Sequence, residues 1–338
     1  MMTPFKPIPS ARNAHLQTLL PRFLRRAPLF TPRWQQFDLP DGDFVDLAWT
    51  HQPQPGQPIV VLFHGLAGSF DSPYANGLLA AFQRQGWCGV VMHFRSCSGR
   101  LNRAARTYHS GETQDARAFF THLRQTYPES QIGAVGVSLG GNMLVRYLAD
   151  YHDDPIVTCG CAVSPPLDLA ACSMRIQQGF SRVYQAYLLR SMRQTLAEKL
   201  TRHQQVGRWH AGERPAINTL FEFDQTVTAP LHGFDDAHHY YRACSGLSVL
   251  DTIKAPLAII HAKDDPFMTD AVIPTSPLPA NIDYQLTEHG GHVGFVAGSW
   301  RQPQFWLEHA VPHWLATYLP VQSPHSDRVS DTRTIKKA

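Results

Sequence analysis

Five short apolar runs, at residues 59–63, 89–94, 132–137, 157–163 and 257–261, alternate along this chain with longer segments of helix-like spacing. Runs that brief, with no polar alternation, suit strands covered on both faces, and a parallel sheet with crossover helices provides that cover. Segments 75–85, 113–125 and 142–149 contain no proline and are expected to be three of the helices. Ahead of them, two alternating segments between residues 37 and 50 flank Asp41-Gly42, a dipeptide favoured in tight hairpin turns, so an antiparallel edge hairpin should open the domain.

The alternation breaks between residues 167 and 241. There 184–189 and 194–200 look helical, and a loop-rich portion follows that holds His232, His238 and His239 beside Asp235 and Asp236. The expected organisation is therefore an N-terminal extension (1–36), an α/β core (37–166 and 242–320), an inserted and mainly helical cap (167–241), and a polar, disordered tail (321–338). The histidine spacing matches no helix-borne pair of metal ligands, and a solvated cap loop is the expectation for it. No metal or other cofactor is called for.

Composition narrows the function classes. A chain of 338 residues with a formal net charge of only +3 does not ask for a nucleic-acid partner. Its one cationic cluster, Arg22, Arg25, Arg26 and Arg33, is interleaved with Phe23, Leu24, Leu29 and Phe30. A solvated face is the expectation there, with weak peripheral contact to an anionic membrane as the alternative. The six cysteines show no paired metal-type spacing and are expected as reduced thiols. Pro4, Pro7 and Pro9 stand where a secretory signal would need an apolar run, and a soluble, cytoplasmic protein is expected.

The run 132–137 leads directly into Gly136-Val137-Ser138-Leu139-Gly140-Gly141, and a helical segment follows. This is the strand–turn–helix setting of a nucleophile elbow. Glycines two residues either side of the serine permit a turn sharp enough to lift its hydroxyl above the sheet. A serine hydroxyl is a weak nucleophile and needs a base, which in turn needs an orienting acid. Downstream, His261-Ala262-Lys263-Asp264-Asp265-Pro266-Phe267 follows one strand, and Glu288-His289-Gly290-Gly291-His292 follows the apolar segment 282–286. In an open parallel sheet such loops converge at the carboxyl ends of the strands. The expected nucleophile, acid and base are Ser138, Asp265 and His292, with Asp264 and His289 as alternatives. An oxyanion hole is expected from the backbone N–H groups of Leu66, in His64-Gly65-Leu66-Ala67-Gly68, and of Leu139. His64 itself is expected to play a structural part beneath the hole. Arg95-Ser96-Cys97-Ser98-Gly99 follows a strand and could place Cys97 near the site, and a tight turn explains it as well.

Together with Asn13-Ala14-His15-Leu16-Gln17-Thr18, Asn142 and Val293-Gly294-Phe295, these motifs make nearly the whole chain resemble the YheT-like branch of the α/β-hydrolases, esterases related to eukaryotic ABHD proteins and to yeast medium-chain ester synthases. The resemblance implies an α/β-hydrolase fold and hydrolysis of small-molecule carboxylic esters, such as medium-chain acyl esters or monoacylglycerols. Ser138, Asp265 and His292 would form the relay. Acyl transfer to an alcohol and thioester cleavage use the same machinery. The His-x4-Asp motif of acyltransferase relatives is missing, since no histidine here has Asp five positions on. A non-catalytic protein holding a lipid or partner under the cap is the reading from another class.

Overall fold

The computed structural model describes residues 3–25 and 27–320, so the expected disordered tail at 321–338 lies outside the described residues. Its centre is an eight-stranded sheet. In chain order the strands are β1 (Arg33–Asp38), β2 (Phe44–Trp49), β3 (Ile59–Phe63), β4 (Cys88–Met92), β5 (Ile132–Val137), β6 (Cys159–Val163), β9 (Leu257–Ala262) and β10 (Ile282–Thr287). A two-residue-per-strand hairpin, β7 (Gln205–Val206) and β8 (Trp209–His210), stands apart from it. The spatial order is β1-β2-β4-β3-β5-β6-β9-β10. The β1–β2 hairpin is antiparallel, β2 pairs antiparallel with β4, and every pairing from β4 to β10 is parallel.

Side chains along the central strands divide by parity, as the pleat requires. On β3, Ile59, Val61 and Phe63 pack toward α3 (Gln114–Thr126) and α4 (Leu139–Asp150), while Val60 and Leu62 pack toward α2 (Pro73–Arg84) and α10 (Leu307–Leu315). Helices thus cover both faces, and the strands read as uninterrupted apolar runs for that reason.

Two parts of the chain differ from expectation. The hairpin starts at Arg33 rather than Phe37, and the N-terminal extension before it holds a helix: α1 (Ala14–Leu24) is capped by Asn13, whose side chain accepts from the N–H groups of His15 and Leu16. Its Gln17 is fully buried and donates to the carbonyls of Ala11 and Val296 while accepting from the Val296 N–H. The second difference lies between β6 and β9. Here α5 (Leu169–Arg175), α6 (Ser181–Leu200), α7 (Leu220–Phe223), a π-helical turn (Asp224–Thr228), α8 (Ala229–Leu231) and α9 (Ala237–Cys244) follow one another, and α6 is one continuous helix where two segments were expected.

A buried polar network fastens α6 to the sheet. Lys199 donates to Asn102 Oδ1 (2.7 Å) and to the carbonyls of Ala104 (2.7 Å) and Arg106 (3.3 Å). Asn102 in turn donates to Asp43, which with Asp115 also pairs the buried Arg95. Burial draws the Lys199 ammonium down to about 8, because removing the charged form from water is costly.

Candidate active site

Ser138 ends the turn between β5 and α4 in a strained conformation, φ 53° and ψ −119°, which a non-glycine residue rarely adopts. Its neighbours explain why the turn can exist. A Cβ on Gly136 would lie 2.2 Å from the Gly140 carbonyl oxygen, and one on Gly140 would lie 2.5 Å from that of Phe63. Both contacts are far inside van der Waals distance, so these two positions accept only glycine.

The hydroxyl meets the loop after β10: Ser138 Oγ lies 2.9 Å from His292 Nε2. His292 Nδ1 lies 2.8 Å from Asp265 Oδ2, on the loop after β9. Asp265 is 4% exposed, and its other oxygen accepts the Phe267 N–H at 2.8 Å. The Phe267 ring stacks on the His292 imidazole, centroids 4.0 Å apart at 17°. This contact and the carboxylate fix the ring in its plane. Asp264 and His289 pair with each other instead, Oδ2 to Nδ1 at 3.4 Å, and Asp264 Oδ1 accepts the Gly291 N–H at 2.9 Å. The structure therefore brings Ser138, His292 and Asp265 into one hydrogen-bonded chain and puts the alternative pair outside it, bracing the turn.

The α1 segment reaches this turn as well. Thr18 Oγ1 accepts the His292 N–H at 2.9 Å, and added Cβ atoms on Gly291 and Gly294 would fall 2.4 Å from the Ala14 carbonyl oxygen and 2.2 Å from that of Gln17. The motif at 13–18 is thus a seat for the histidine loop.

Leu66 lies on the loop after β3, which runs so close to the serine that a Cβ on Gly65 would sit 3.2 Å from Ser138 Cβ. Two tyrosines occupy the neighbouring amides: Gly65 N–H donates to Tyr74 Oη (2.8 Å) and Ala67 N–H to Tyr108 Oη (2.9 Å). The Leu66 N–H between them has no protein acceptor among the described residues, and neither does the Leu139 N–H, which opens α4. Helix starts leave such donors unsatisfied and carry partial positive charge. Tyr74 and Tyr108 carry no local sequence signal and were not anticipated. Beneath this loop His64 is fully buried, donates from Nδ1 to the Gly65 carbonyl (2.8 Å) and accepts the Phe94 N–H at Nε2 (3.0 Å). Burial holds it down to about 3, so it is neutral and serves as a strut.

Ser138, His292, Leu66 and Leu139 line a cleft of about 1260 Å³ roofed by α5, α6 and the π-helical turn, with Met192, Leu196, Phe223 and Val227 on its walls. Cys97 lines it too, but burial pushes its thiol up to about 12, far from the thiolate that nucleophilic attack requires.

His232 departs from the expected solvated loop. Its side chain is 2% exposed and packs edge-on against His109 near Glu112. The three could approach a common cation, yet His109 Nδ1 accepts the Gly111 N–H, which puts the ring proton on Nε2 facing Glu112, and the Arg106 guanidinium already pairs that Glu112 oxygen. An Arg106–Glu112 ion pair with the two imidazoles packed beside it accounts for these contacts.

The model of the α/β-hydrolase fold family matches residues 58–299. This chain belongs to that family. Over 322 residues, 94% of this chain and 95% of the relative, it is 50% identical to the Escherichia coli (strain K12) protein named "Putative esterase YheT". It is 25% identical to human phospholipase ABHD3 over 86% of this chain and 73% of the relative. A Saccharomyces cerevisiae medium-chain fatty acid ethyl ester synthase/esterase is 27% identical over 71% of this chain and 58% of its own length. Among solved structures, an esterase of Pyrococcus furiosus superposes with a TM-score of 0.56 at 17% identity, covering 94% of this chain and 99% of that one. At that identity the likeness concerns the fold. No helix among the described residues is long and apolar enough to cross a membrane.

Proposed function

We propose that this chain hydrolyses carboxylic esters through an acyl-Ser138 intermediate. His292 Nε2 takes the Ser138 proton as Oγ attacks the ester carbonyl carbon. Charge developing on the carbonyl oxygen is met by the N–H groups of Leu66 and Leu139, each such donor contributing roughly 3–4 kcal/mol to transition-state stabilisation. His292 then gives its proton to the departing alkoxide, and a water activated by the same nitrogen releases the acid. Asp265 accepts from Nδ1 throughout, holding the tautomer that leaves Nε2 free to act as base. These groups supply the nucleophile and every proton transfer, so the reaction asks for no cofactor.

The observation that carries this reading is the unbroken Ser138–His292–Asp265 relay opening onto the cleft. The apolar walls fit an acyl chain, and the printed names of the relatives, an esterase, a phospholipase and a medium-chain ethyl ester synthase/esterase, point the same way. Medium-chain acyl esters or monoacylglycerols are the proposed substrates. The yeast relative's name also favours a second outcome, in which an alcohol replaces water and a new ester forms. Weak membrane contact, the alternative to a solvated face for the N-terminal segment, belongs to this reading, since that segment borders the cleft through which the ester enters.

A fluorophosphonate probe should label the folded wild type and leave Ser138→Ala unlabelled, and Ser138→Ala should lose turnover of a short-chain aryl ester. Unchanged turnover in Ser138→Ala would sink the proposal and favour a non-catalytic holder of lipid. Comparing acid and ester products with and without added alcohol separates hydrolysis from synthesis.

A further inference from the structure

Residues 1–37 contain six Lys or Arg and no Asp or Glu, and residues 169–197 contain four Arg and again no acid. The whole chain nets +3, so everything outside these two stretches nets −7. The two cationic stretches meet in space. His15 Nδ1 is 3.1 Å from Tyr184 Oη, and Arg22 donates to Tyr187 Oη at 2.8 Å. Together they frame the mouth of the cleft, to which Arg22, Phe23, Phe180, Val183 and Tyr187 all contribute.

The same stretches concentrate exposed apolar surface. Nine large apolar side chains are exposed among the described residues, and eight fall here. Phe23, Leu24, Leu29 and Trp34 belong to the first stretch, while Met174, Phe180, Val183 and Tyr187 belong to the second. At 100° per residue, Val183 and Tyr187 of α6 form one stripe with Phe180 at its N-cap, and Arg182, Arg190 and Arg193 form the adjoining stripe. All three arginines are exposed and have no ionic partner among the described residues. An apolar face beside a cationic face, both turned to solvent, is the pattern of a surface that sits at the boundary of acyl chains and anionic headgroups.

We propose that the rim formed by α1 and α6 docks on an anionic lipid bilayer and that the cleft draws its ester from that surface. The proposal rests on the ester-hydrolase reading for the fate of the substrate, but docking itself requires only the rim. Charge complementarity commits it to a bilayer with anionic headgroups. Burial of Phe180 and Val183 among acyl chains would align the cleft mouth with the depth at which an ester linkage lies.

Co-sedimentation with vesicles of phosphatidylcholine alone, or mixed with phosphatidylglycerol, tests this. Full-length protein should partition onto the mixed vesicles and not onto the neutral ones, and 0.5 M salt should weaken binding. Arg182→Glu/Arg190→Glu/Arg193→Glu alters no residue that lines the cleft and should lower partitioning on the order of a hundredfold, from about 1 kcal/mol per basic residue at such a surface and tenfold per 1.4 kcal/mol. Leu24→Ser/Leu29→Ser/Met174→Ser should lower it by an independent route. Both variants should keep wild-type unfolding midpoints and wild-type turnover of a soluble aryl ester. Equal partitioning of wild type onto both vesicle types, no partitioning, or undiminished binding by the arginine variant would each overturn the docking proposal. Wild type that docks while turning over no ester would leave docking standing and sink the hydrolase reading, so the two failures are distinguishable.

Discussion

Thr18 lies 120 residues before the serine, yet it lines the cleft and its Oγ1 is the acceptor for the His292 backbone N–H. Thr18→Val keeps the shape of the side chain and removes that acceptor. A buried donor left without a partner costs about 1–3 kcal/mol. Stacking on Phe267 and the bond to Asp265 hold the ring but not the backbone, so the histidine loop would spend part of its time displaced. If all of that cost falls on the reactive geometry, kcat should drop roughly 5- to 150-fold, at tenfold per 1.4 kcal/mol. KM for a small aryl ester should hold, because valine presents nearly the same shape to the cleft as threonine. Thr18→Ser, which restores the acceptor, should recover most of the rate. Steady-state kinetics on the three proteins, with unfolding midpoints measured alongside, checks this. A Thr18→Val enzyme with wild-type kcat, or a Thr18→Ser enzyme no better than Thr18→Val, would show that α1 does not set the position of His292.

Gly140→Ala should lose several kcal/mol of stability, since its methyl would have to displace the backbone of β3 at Phe63 (2.5 Å); expression of folded protein and urea midpoints report it. Asp265→Asn should cut kcat by about 10⁴-fold, as it would misorient the base, whereas Asp264→Asn keeps an acceptor for the Gly291 N–H and should cost less than about tenfold. Comparable losses in the two variants would show that the acid has been misassigned. Stability should fall steeply as pH drops below 6.5. Burial lowers His64 and His109 to about 3, His232 to about 2 and His261 to about 4, so in this range the unfolded chain binds protons that the native chain refuses. The penalty is small above the unfolded value of 6.5 and grows toward the folded ones, at about 1 kcal/mol per histidine between pH 6.5 and 5.5. Urea midpoints from pH 8 to 5 measure it, and a flat profile would mean that these histidines open to water.

The central sheet was legible because its strands are covered on both faces, which leaves apolar runs that nothing else explains. Where burial is incomplete, the signal fades. β1 is an edge strand with five of its six residues exposed, so Arg33-Trp34-Gln35-Gln36 shows neither run nor alternation. In α1 the fully buried side chain is a glutamine and a proline lies within the helix, so hydropathy spacing could not find it. α6 looked like two pieces because Arg190 and Arg193 interrupt its pattern, although they lie on the solvent side and leave the helix intact.

At the site, the serine turn was readable since its demands are local: two glycines and a strand-to-helix reversal within a few residues. Adjacent Asp264 and Asp265, and His289 and His292 three apart, each fit a base–acid pair by spacing alone. What separates them is the turn after β9, which buries Asp265 under Phe267 toward the crevice and aims Asp264 at the amide of Gly291. That amide is in place because α1, more than 270 positions earlier, abuts the glycines of the histidine loop. The pairing is therefore decided by contacts between distant segments, as is the availability of the Leu66 N–H, which depends on Tyr74 and Tyr108 taking the amides on either side. A relay of three residues can be guessed from loop order; which members of each loop enter it is a property of the packing around them.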